Sequence, residues 1–186
     1  MGSDKALLAG HGGPLLAVGI RRLSQVCDLV IVVAGKNAEA LRPVVYENAG
    51  FLAINPAPER GQFSSLRLGL QAVLEHGRDA AFVLLVDRPA PDLQTLNHLR
   101  EAFLRSYPAQ TWAVVPEYQG KHGHPFVAGR EMIEAFLRAP ENTTARDVEH
   151  SHQEKILYVP VADPNVIMDL NTPEEYQSWK LEQERQ

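Results

Sequence analysis

Short apolar runs alternate along this chain with longer stretches in which apolar positions recur at helical spacing. The runs are rich in β-branched and aromatic residues and are bounded by Gly, Pro, Asn or Asp, which is typical of strands. Residues 28–33 are apolar at almost every position, which predicts a strand that is buried on both faces, and residues 82–86 form the most apolar strand. Further strands are predicted at residues 51–54, 112–116, 125–128 and 156–161.

The intervening stretches predict helices that each have one apolar face. A first helix is predicted over residues 14–25, and Asn37 is expected to cap a second helix that ends near residue 47. Ser64 or Ser65 is expected to open the next helix. Later helices are predicted to begin after Asp92, after residues 142–144 and at Thr172. Strands that alternate with helices indicate a doubly wound, mostly parallel α/β sheet with helices on both faces, a Rossmann-like architecture.

Composition narrows the class of protein. The chain has 186 residues, an ordinary size for one domain, so residues 1–186 are predicted to form a single domain. Its 18 Lys and Arg against 23 Asp and Glu leave a net charge of −5, which disfavours a protein that coats nucleic acid. Cys27 is the only cysteine, so an intrachain disulfide, CxxC zinc sites and cysteine-ligated clusters are excluded. The longest apolar run is far too short for a membrane span, and no signal-peptide pattern opens the sequence, so a cytoplasmic protein is expected.

Asp87 is the first candidate for chemistry. In a doubly wound sheet, ligands bind outside the carboxyl ends of the strands, and Asp87 directly follows the most apolar predicted strand. An unpaired carboxylate is too costly to bury, whereas Mg²⁺ is typically held by one or two carboxylates together with substrate phosphate. The structural alternative is that Asp87 caps the next turn or pairs with Arg88.

Two further oxygen-bearing side chains precede the last predicted helix. Helix capping alone accounts for Thr172, with Pro173 and Glu175 in the first turn. It does not account for Asp169 and Asn171. Because these two residues are two positions apart in an extended segment, their side chains are expected to point the same way.

Three glycine-containing segments are weaker candidates. Asn55 and residues 61–70 predict a loop and a helix start whose free amides and serine hydroxyls suit a phosphate or the edge of a base, although N-capping by Ser64 is the simpler interpretation. The loop at residues 120–125 contains two histidines, which is weak evidence for a metal site. Residues 2–5 resemble a short phosphate loop but lack the spacing of a P-loop.

Taken in order, these segments resemble the MobA-like nucleotidyltransferase family, in its molybdenum cofactor cytidylyltransferase branch. The resemblance covers nearly the whole chain and rests on motifs at residues 1–8, 13–16, 55–56 with 61–70, 87–89, 120 with 123–125, and 169 with 171–176. It implies a nucleotide-diphospho-sugar transferase-like domain that joins CTP, or in sister enzymes GTP, to the phosphate of a molybdopterin-type cofactor and releases pyrophosphate. Mg²⁺ is the implied cofactor, and a molybdenum hydroxylase is the implied recipient of the product.

The resemblance also implies roles for individual residues. Lys5 would hold the nucleotide phosphates beside Gly2, and Asp87 would bind Mg²⁺, so these two are the implied catalytic residues. Asn171, with Asp169, would complete the metal site. The implied cleft residues are Asn55, Gly61, Ser64, Ser65 and Arg67 on the nucleotide side, and Gly123 and His124 on the pterin side.

Two features depart from the family pattern. The family opens with a strand and a Leu-Ala-Ala-Gly-x-Ser-x-Arg loop directly before Met-Gly, and this sequence begins at Met1, which predicts a start assigned one strand too late. The loss of that strand would leave an apolar sheet edge unpaired, place Lys5 on a frayed end and favour self-association. Arg88 stands where the family often has an uncharged residue.

Two other functions stay open at this point. The same fold would serve a nucleotidyltransferase whose acceptor is a sugar or polyol phosphate. A protein without the first loop would instead bind a nucleotide or cofactor as an accessory protein with little or no transfer. The motifs at residues 61–70 and 123–125 favour the pterin acceptor.

Overall fold

The computed structural model describes residues 4–10 and 12–183. Within them the α-helices are α1 Leu15–Leu23, α2 Ala38–Glu47, α3 Gln62–Glu75, α4 Leu93–Ser106, α5 Arg130–Arg138, α6 Ala145–Ser151 and α7 Pro173–Gln183. The strands are β1 Ala9–Gly10, β2 Gly13–Pro14, β3 Ile31–Ala34, β4 Phe51–Ile54, β5 Ala80–Val83, β6 Ala113–Tyr118, β7 Lys121–His122, β8 Phe126–Gly129 and β9 Ile156–Pro160. None of the described helices combines the length and the apolar character needed to cross a membrane.

Local sequence accounts for several element boundaries. The predicted strand at residues 51–54 is confirmed as β4. The carboxylate of Asp92 accepts a hydrogen bond from the Thr95 N–H at 2.6 Å, which confirms the predicted cap of α4. The helix predicted after residues 142–144 is confirmed as α6, and Thr144 and Asp147 form a reciprocal capping box at its start.

The predicted opening of α3 at Ser64 or Ser65 is wrong. The helix begins at Gln62, and Gly61 occupies the N-cap position with φ of +88°. Glycine takes such a conformation without a steric penalty, so the helix begins two residues before Ser64, the earlier of the two predicted positions. Ser64 instead lies in the first turn and donates its hydroxyl to the Gly61 carbonyl at 2.7 Å.

Strand pairing gives one large sheet and two small pairs among the described residues. The large sheet has the order β5–β8–β6–β7, and β9 runs parallel to β6. Strand β3 pairs in parallel with β4, and β1 pairs antiparallel with β2. The α/β fold class is confirmed, but the large sheet is mixed rather than mostly parallel, because β8 runs antiparallel to both β5 and β6.

The core consists of two large apolar clusters and smaller ones around them. The first joins α5 to the large sheet through Ile133 and Phe136 and receives Leu70 from α3. The second joins α1, α2 and β3 through residues that include Ile20 and Leu41. The two strand systems therefore have separate cores, and α3 contributes to the first while packing on β3.

The prediction that residues 28–33 are buried on both faces is wrong. Of strand β3 (Ile31–Ala34), only Val32 and Ala34 are buried. Strand β5 likewise ends at Val83, and Val86 is 38% exposed. No described strand pairs with the edges of β3 and β5 that face each other, so their apolar side chains are covered only in part.

Gly123 is expected to be required for packing. Its N–H donates to the Pro116 carbonyl at 2.9 Å, and a Cβ at this position would overlap the backbone of Val166. Gly123→Ala should therefore lower the free energy of unfolding by about 1–3 kcal/mol, as overpacking typically does. Urea denaturation measures the change, with Gly19→Ala as the control, because a Cβ at Gly19 would make only ordinary contact with Leu84. An unchanged unfolding midpoint for Gly123→Ala would contradict a packing role.

Candidate active site

Three polar side chains from distant parts of the chain meet just beyond the end of β5. Lys5 Nζ donates to Asn171 Oδ1 at 2.7 Å and lies 3.9 Å from Asp87 Oδ2. We call Lys5, Asp87 and Asn171 the strand-end cluster. The side chains of Lys5 and Asp87 are 32% and 42% exposed, so the cluster is accessible to a ligand.

Lys5 is positioned by the short 3₁₀ turn Lys5–Leu7. The carboxylate of Asp4 caps this turn by accepting from the Ala6 N–H at 3.1 Å, and its other oxygen accepts from the Asn37 side-chain amide at 2.5 Å. Ala6 is fully buried. These contacts tie the turn that carries Lys5 to the segment after β3, and the expectation that Lys5 lies on a frayed end stays a prediction. Gly2, its predicted partner in the phosphate loop, lies outside the described residues.

The same carboxylate of Asp4 explains why Asn37 does not cap α2 with its side chain. Asn37 occupies the predicted N-cap position, but its side chain makes no hydrogen bond to the helix. Its amide is used to donate to Asp4. The segment after β3 is thereby tied to the turn that carries Lys5.

Arg88 forms an ion pair with Asp169. Arg88 Nη2 lies 2.7 Å from Asp169 Oδ1, and the Arg88 side chain is 17% exposed. Its Nε is buried without a hydrogen-bond partner among the described residues. The alternative that Asp87 pairs with Arg88 is wrong, because Asp87 faces Lys5 and the guanidinium neutralises Asp169 instead.

Asp169 and Asn171 reach the cluster from the same side of one extended segment. Between them, Leu170 is buried in an apolar cluster with Leu15 and Trp179. Successive side chains of an extended segment point to opposite faces, so the burial of Leu170 directs its two neighbours the other way. The predicted common direction of Asp169 and Asn171 is confirmed by their contacts with Arg88 and Lys5.

Glu175 fixes the backbone at Asn171. Its carboxylate accepts from the N–H groups of Asn171 and Thr172 at 2.7 and 2.9 Å, and Thr172 Oγ1 accepts from the Glu175 N–H at 3.1 Å. This arrangement is a capping box at the start of α7. The cap that explains Thr172 therefore also places the Asn171 amide beside Lys5.

Asn55 organises the loop between β4 and α3. Its N–H donates to the Ala34 carbonyl at 2.7 Å, and its side-chain amide donates to Ser64 Oγ at 2.8 Å and to Ser65 Oγ at 3.0 Å. The residue is buried. The structure thus brings Asn55, Ser64 and Ser65 together next to Gly61, and the hydrogen bonds from the Asn55 amide fix the positions of the two hydroxyl groups.

Arg67 and Gly123 make structural contacts. Arg67 Nη2 donates to the Leu137 carbonyl at 2.7 Å, and its guanidinium stacks 5.8 Å from the centre of the Phe63 ring. This contact joins α3 to the end of α5. Gly123 is buried against Val166. The ligand roles predicted for these two residues stay predictions.

His124 lies beside the strand-end cluster. Its Nδ1 is 3.3 Å from the Val83 carbonyl oxygen, and its N–H donates to the Val166 carbonyl at 2.7 Å. Burial lowers the pKa of His124, and the nearby positive charge of Arg88 lowers that pKa further. A neutral imidazole is therefore favoured at this position, close to where β5 ends.

The strand-end cluster provides oxygen ligands for a divalent cation. Asp87 and Asn171 contribute a carboxylate and an amide oxygen that converge on the Lys5 ammonium group, so the position between them favours positive charge. The described residues contain no group of three or more His, Cys, Asp or Glu that would hold a metal alone. One carboxylate with substrate phosphate and water is a common set for Mg²⁺, so the donors present fit this ion.

Comparison with known sequences identifies the family. The model of the MobA-like NTP transferase domain matches residues 1–156. The chain belongs to this family. It is a nucleotidyltransferase by that membership, as the sequence motifs predicted. Over 184 residues it is 25% identical to molybdenum cofactor cytidylyltransferase of Escherichia coli (strain K12), and this alignment covers 95% of this chain and 86% of that protein.

Solved structures of low sequence identity share the fold. Rv0371c from Mycobacterium tuberculosis H37Rv is 24% identical, with a TM-score of 0.79 over 97% of this chain and 90% of that chain. The same protein in complex with manganese gives a TM-score of 0.76 over 97% of this chain and 93% of that one, also at 24% identity. The 4-diphosphocytidyl-2C-methyl-D-erythritol synthase from Anaerococcus prevotii is 16% identical, with a TM-score of 0.76 over 99% of this chain and 94% of that chain.

Sequence reasoning missed the contacts that three residues make around the strand-end cluster. Arg88 was noted only as a departure from the family and as a possible partner of Asp87, Glu175 only as a first-turn residue, and Asn37 only as a cap. Arg88 and Asp169 are far apart in sequence, so no local pattern predicts their ion pair. A signal did exist for Glu175, since a Thr-x-x-Glu capping box implies a fixed backbone at the preceding residue.

Asp87→Ala should abolish Mg²⁺-dependent nucleotide binding while barely changing the melting temperature. The reason is that Asp87 supplies the carboxylate of the cluster but is half-exposed and contributes little packing. Titration calorimetry and thermal denaturation measure the two effects. Asp79→Ala is the matched control, because it removes an exposed carboxylate, the ion-pair partner of Arg130, just before the other end of β5. An unfolded variant whose folded fraction binds nucleotide normally would show that Asp87 is structural.

Asp169→Asn should act mainly on stability. It leaves the partly buried Arg88 without its counter-charge, which is expected to lower the free energy of unfolding by about 1 kcal/mol after the exposure of the pair is considered. Nucleotide and Mg²⁺ affinity should stay within about threefold of the unchanged protein, a difference of under about 1 kcal/mol, because Asp169 pairs with Arg88 and not with the strand-end cluster. Urea denaturation and calorimetry provide the measurements. Loss of metal binding at unchanged stability would make Asp169 a ligand instead.

Proposed function

We propose that the protein transfers a cytidylyl group from CTP to the terminal phosphate of a molybdopterin-type cofactor and releases pyrophosphate. The observation that carries the proposal is the convergence of Lys5, Asp87 and Asn171 just beyond the end of β5. The E. coli relative, a molybdenum cofactor cytidylyltransferase that aligns with 95% of this chain, supports the choice of nucleotide and acceptor. The proposal extends to a cytoplasmic location and to a molybdenum hydroxylase as the recipient of the product.

The reaction exchanges one phosphoanhydride bond for another. A terminal phosphate oxygen of the acceptor attacks the α-phosphorus of CTP, and the bond from that phosphorus to the oxygen bridging the α- and β-phosphates breaks. Pyrophosphate leaves with the bonding electrons, so no oxidant or reductant is required. Catalysis of this kind depends on positioning and on neutralising the charge that collects on the phosphate oxygens.

Lys5 is the residue that we assign to charge neutralisation on the nucleotide. Its ammonium group carries three donors, and the described structure uses one of them on Asn171 at 2.7 Å. A compact ammonium group on a flexible stem suits phosphate recognition as a point charge. On binding a nucleotide, Lys5 would exchange its contact with Asn171 for the leaving phosphates.

Asp87 and Asn171 are the residues that would hold Mg²⁺. When bound, this ion would supply a further positive charge toward the triphosphate. The structure of the Rv0371c relative in complex with manganese supports a divalent cation on this fold. The release of Asn171 by Lys5 would make the Asn171 amide oxygen available at the same time as Lys5 moves to phosphate.

The loop between β4 and α3 is the proposed nucleotide-facing wall. Ser64 and Ser65 present hydroxyl groups there, and Asn55 holds both of them at 2.8 and 3.0 Å. Gly61, at which a Cβ would meet no atom within 4 Å, leaves the start of α3 open on its solvent side. Backbone N–H groups at a helix start favour phosphate or the polar edge of a base.

A second acceptor class is supported by one comparison. The A. prevotii structure, a 4-diphosphocytidyl-2C-methyl-D-erythritol synthase by its name, covers 99% of this chain at a TM-score of 0.76. An acceptor with a sugar or polyol phosphate would need the same strand-end cluster. Pyrophosphate release in the presence of CTP and either methylerythritol phosphate or molybdenum cofactor distinguishes the two, and turnover with only the polyol phosphate would displace the pterin acceptor.

CTP should bind more tightly than GTP or ATP in the presence of Mg²⁺. The motif at residues 55–56 with 61–70 and the loop at residues 123–125 match the cytidylyl branch more closely than the guanylyl branch, and the E. coli relative is a cytidylyltransferase. Calorimetric titration of each nucleotide measures the order of affinities. Asp87→Ala serves as the control for metal-dependent binding. Tighter binding of GTP would contradict the cytidylyl assignment.

A further inference from the structure

Arg88 is a second cation beside the strand-end cluster. It directly follows Asp87, and its side chain is largely buried. Its Nη2 lies 2.7 Å from Asp169 Oδ1, while its Nε is buried with no hydrogen-bond partner among the described residues. Buried polar groups in folded proteins are almost always paired, so the unpaired Nε marks this guanidinium as a candidate for a functional contact.

The contact with Asp169 uses only part of the hydrogen-bonding capacity of Arg88. A guanidinium has five N–H donors in one plane and can hold phosphate oxygens through two parallel bonds. Asp169 engages Nη2, and no hydrogen bond at Nε fixes the plane of the group. The carboxylate therefore holds the side chain at the site while donors remain for a second oxyanion.

The two cations of the site are held by neighbouring positions of one segment. Asn171 contacts Lys5, and Asp169 contacts Arg88. These two positions are two residues apart on an extended segment, a distance of roughly 7 Å at the usual rise of a strand. Lys5 and Arg88 are therefore anchored side by side and not at a single point.

The proposed transfer requires positive charge at two separate places. The attacking and leaving oxygens lie on opposite sides of the phosphorus that is transferred. A phosphate monoester also brings a charge of about −2 toward a triphosphate that is itself negative, and like charges repel. Lys5 at the leaving phosphates cannot at the same time neutralise the acceptor, so a second cation is needed on the attacking side.

His124 lies near Arg88 and adds no positive charge of its own. Burial is the main cause of the lowered pKa of His124, and the positive charge of Arg88 lowers that pKa further. The Val83 carbonyl oxygen, 3.3 Å from Nδ1, accepts but does not donate, so Nδ1 carries the proton of the neutral ring. Arg88 thus supplies positive charge beside the loop at residues 123–125, which is predicted to face the pterin.

We propose that Arg88 is a specificity-determining residue that binds the phosphate monoester of the acceptor, while Lys5 serves the nucleotide. This inference rests on the proposed transfer to a phosphate acceptor. With Asp169 bound to Nη2, the other donors of the guanidinium hold the acceptor phosphate toward the α-phosphorus of CTP. Water and neutral hydroxyl groups gain less from this charge, so Arg88 favours transfer to phosphate over hydrolysis of CTP.

A purely structural role of the ion pair is the alternative. In that case Arg88 and Asp169 would serve only to join the segment after β5 to the segment before α7. The two roles predict different behaviour of the partners. A structural pair is lost equally when either partner is replaced, whereas an arginine that binds phosphate keeps its charge when Asp169 is neutralised.

Titration with methyl phosphate, a simple phosphate monoester, separates the two roles. The protein is first saturated with Mg²⁺ and a CTP analogue that has a methylene group between its α- and β-phosphorus atoms, so Lys5 is engaged and no transfer occurs. Arg88→Gln should weaken methyl phosphate binding at least about tenfold, or about 1.4 kcal/mol, and leave the affinity for the analogue within about threefold. Asp169→Asn should leave methyl phosphate affinity unchanged or increase it.

The matched control is Arg78→Gln. Arg78 Nη2 also lies 2.7 Å from a carboxylate oxygen, that of Asp28, but Arg78 precedes the opposite end of β5. This variant should bind methyl phosphate normally. The NMR signal of the Arg88 Nε–H group in the unchanged protein gives a measurement that needs no variant, because it should shift as methyl phosphate saturates the site.

Three results would overturn the proposal. They are normal methyl phosphate binding by Arg88→Gln, equal losses in Arg88→Gln and Asp169→Asn, and an Arg88 Nε–H signal that does not respond to methyl phosphate. The same titration without nucleotide separates this inference from the proposed function. Phosphate binding that depends on Arg88 in a protein that does not bind CTP would remove the cytidylyl transfer and keep the phosphate site. Normal binding of the CTP analogue with phosphate binding that is independent of Arg88 would remove this inference alone.

Discussion

The packing of α3 against two strand systems is the constraint on which the rest of this molecule depends. Strands β3 and β4 share no described strand pairing with the large sheet, so backbone hydrogen bonds do not hold the two together. Leu70 anchors α3 in the core of the large sheet, and on β3 the contact is so close that a Cβ at Gly69 would lie 3.0 Å from Val33. A Cβ at Gly69 would require the Val33 side chain or the helix to shift by about a few tenths of an ångström.

Charge compensation is the second organising feature of the site. Lys5 faces Asp87, and Arg88 faces Asp169, so each carboxylate near the end of β5 has a cation of the chain beside it. In surroundings that are partly shielded from water, an uncompensated charge would be more costly than a paired one. The two pairs differ in mobility, because Arg88 is largely buried whereas Lys5 is one-third exposed. Incoming phosphate and metal therefore displace the contact between Lys5 and Asp87 more easily than the contact between Arg88 and Asp169.

Local patterns were sufficient for features that local physics controls. Neighbouring residues alone were enough to predict the cap at Asp92, the helix that follows Thr144 and the strand Phe51–Ile54. The position of Asp87 after an apolar run followed from the same reasoning. Tertiary contacts decided the remainder. No pattern near Arg67 indicates that its guanidinium bonds to the Leu137 carbonyl, seventy residues away in sequence.

The burial of β3 was predicted incorrectly for the same reason. The residue types of that segment are those of a strand enclosed on both edges, but side-chain burial in a sheet also depends on the neighbouring strand that covers each flank. Here one edge of β3 pairs with β4, and the other faces an apolar cleft of about 870 Å³ that is lined by residues of β3 and β5. Among the described residues, β5 likewise pairs on one edge only, with β8.

The cleft between β3 and β5 and the strand-end cluster consequently depend on the same two strands. Asn37 and Asp87 are placed by the strands that precede them, and those two strands flank the cleft. Phosphoryl transfer is sensitive to such placement, because an error of about 1 Å can lower the rate on the order of a hundredfold. Ligand affinity tolerates more, since an ammonium group on a flexible stem can follow a phosphate that is slightly displaced. The placement of β3 and β5 should therefore matter more for the rate of transfer than for the affinity for the nucleotide.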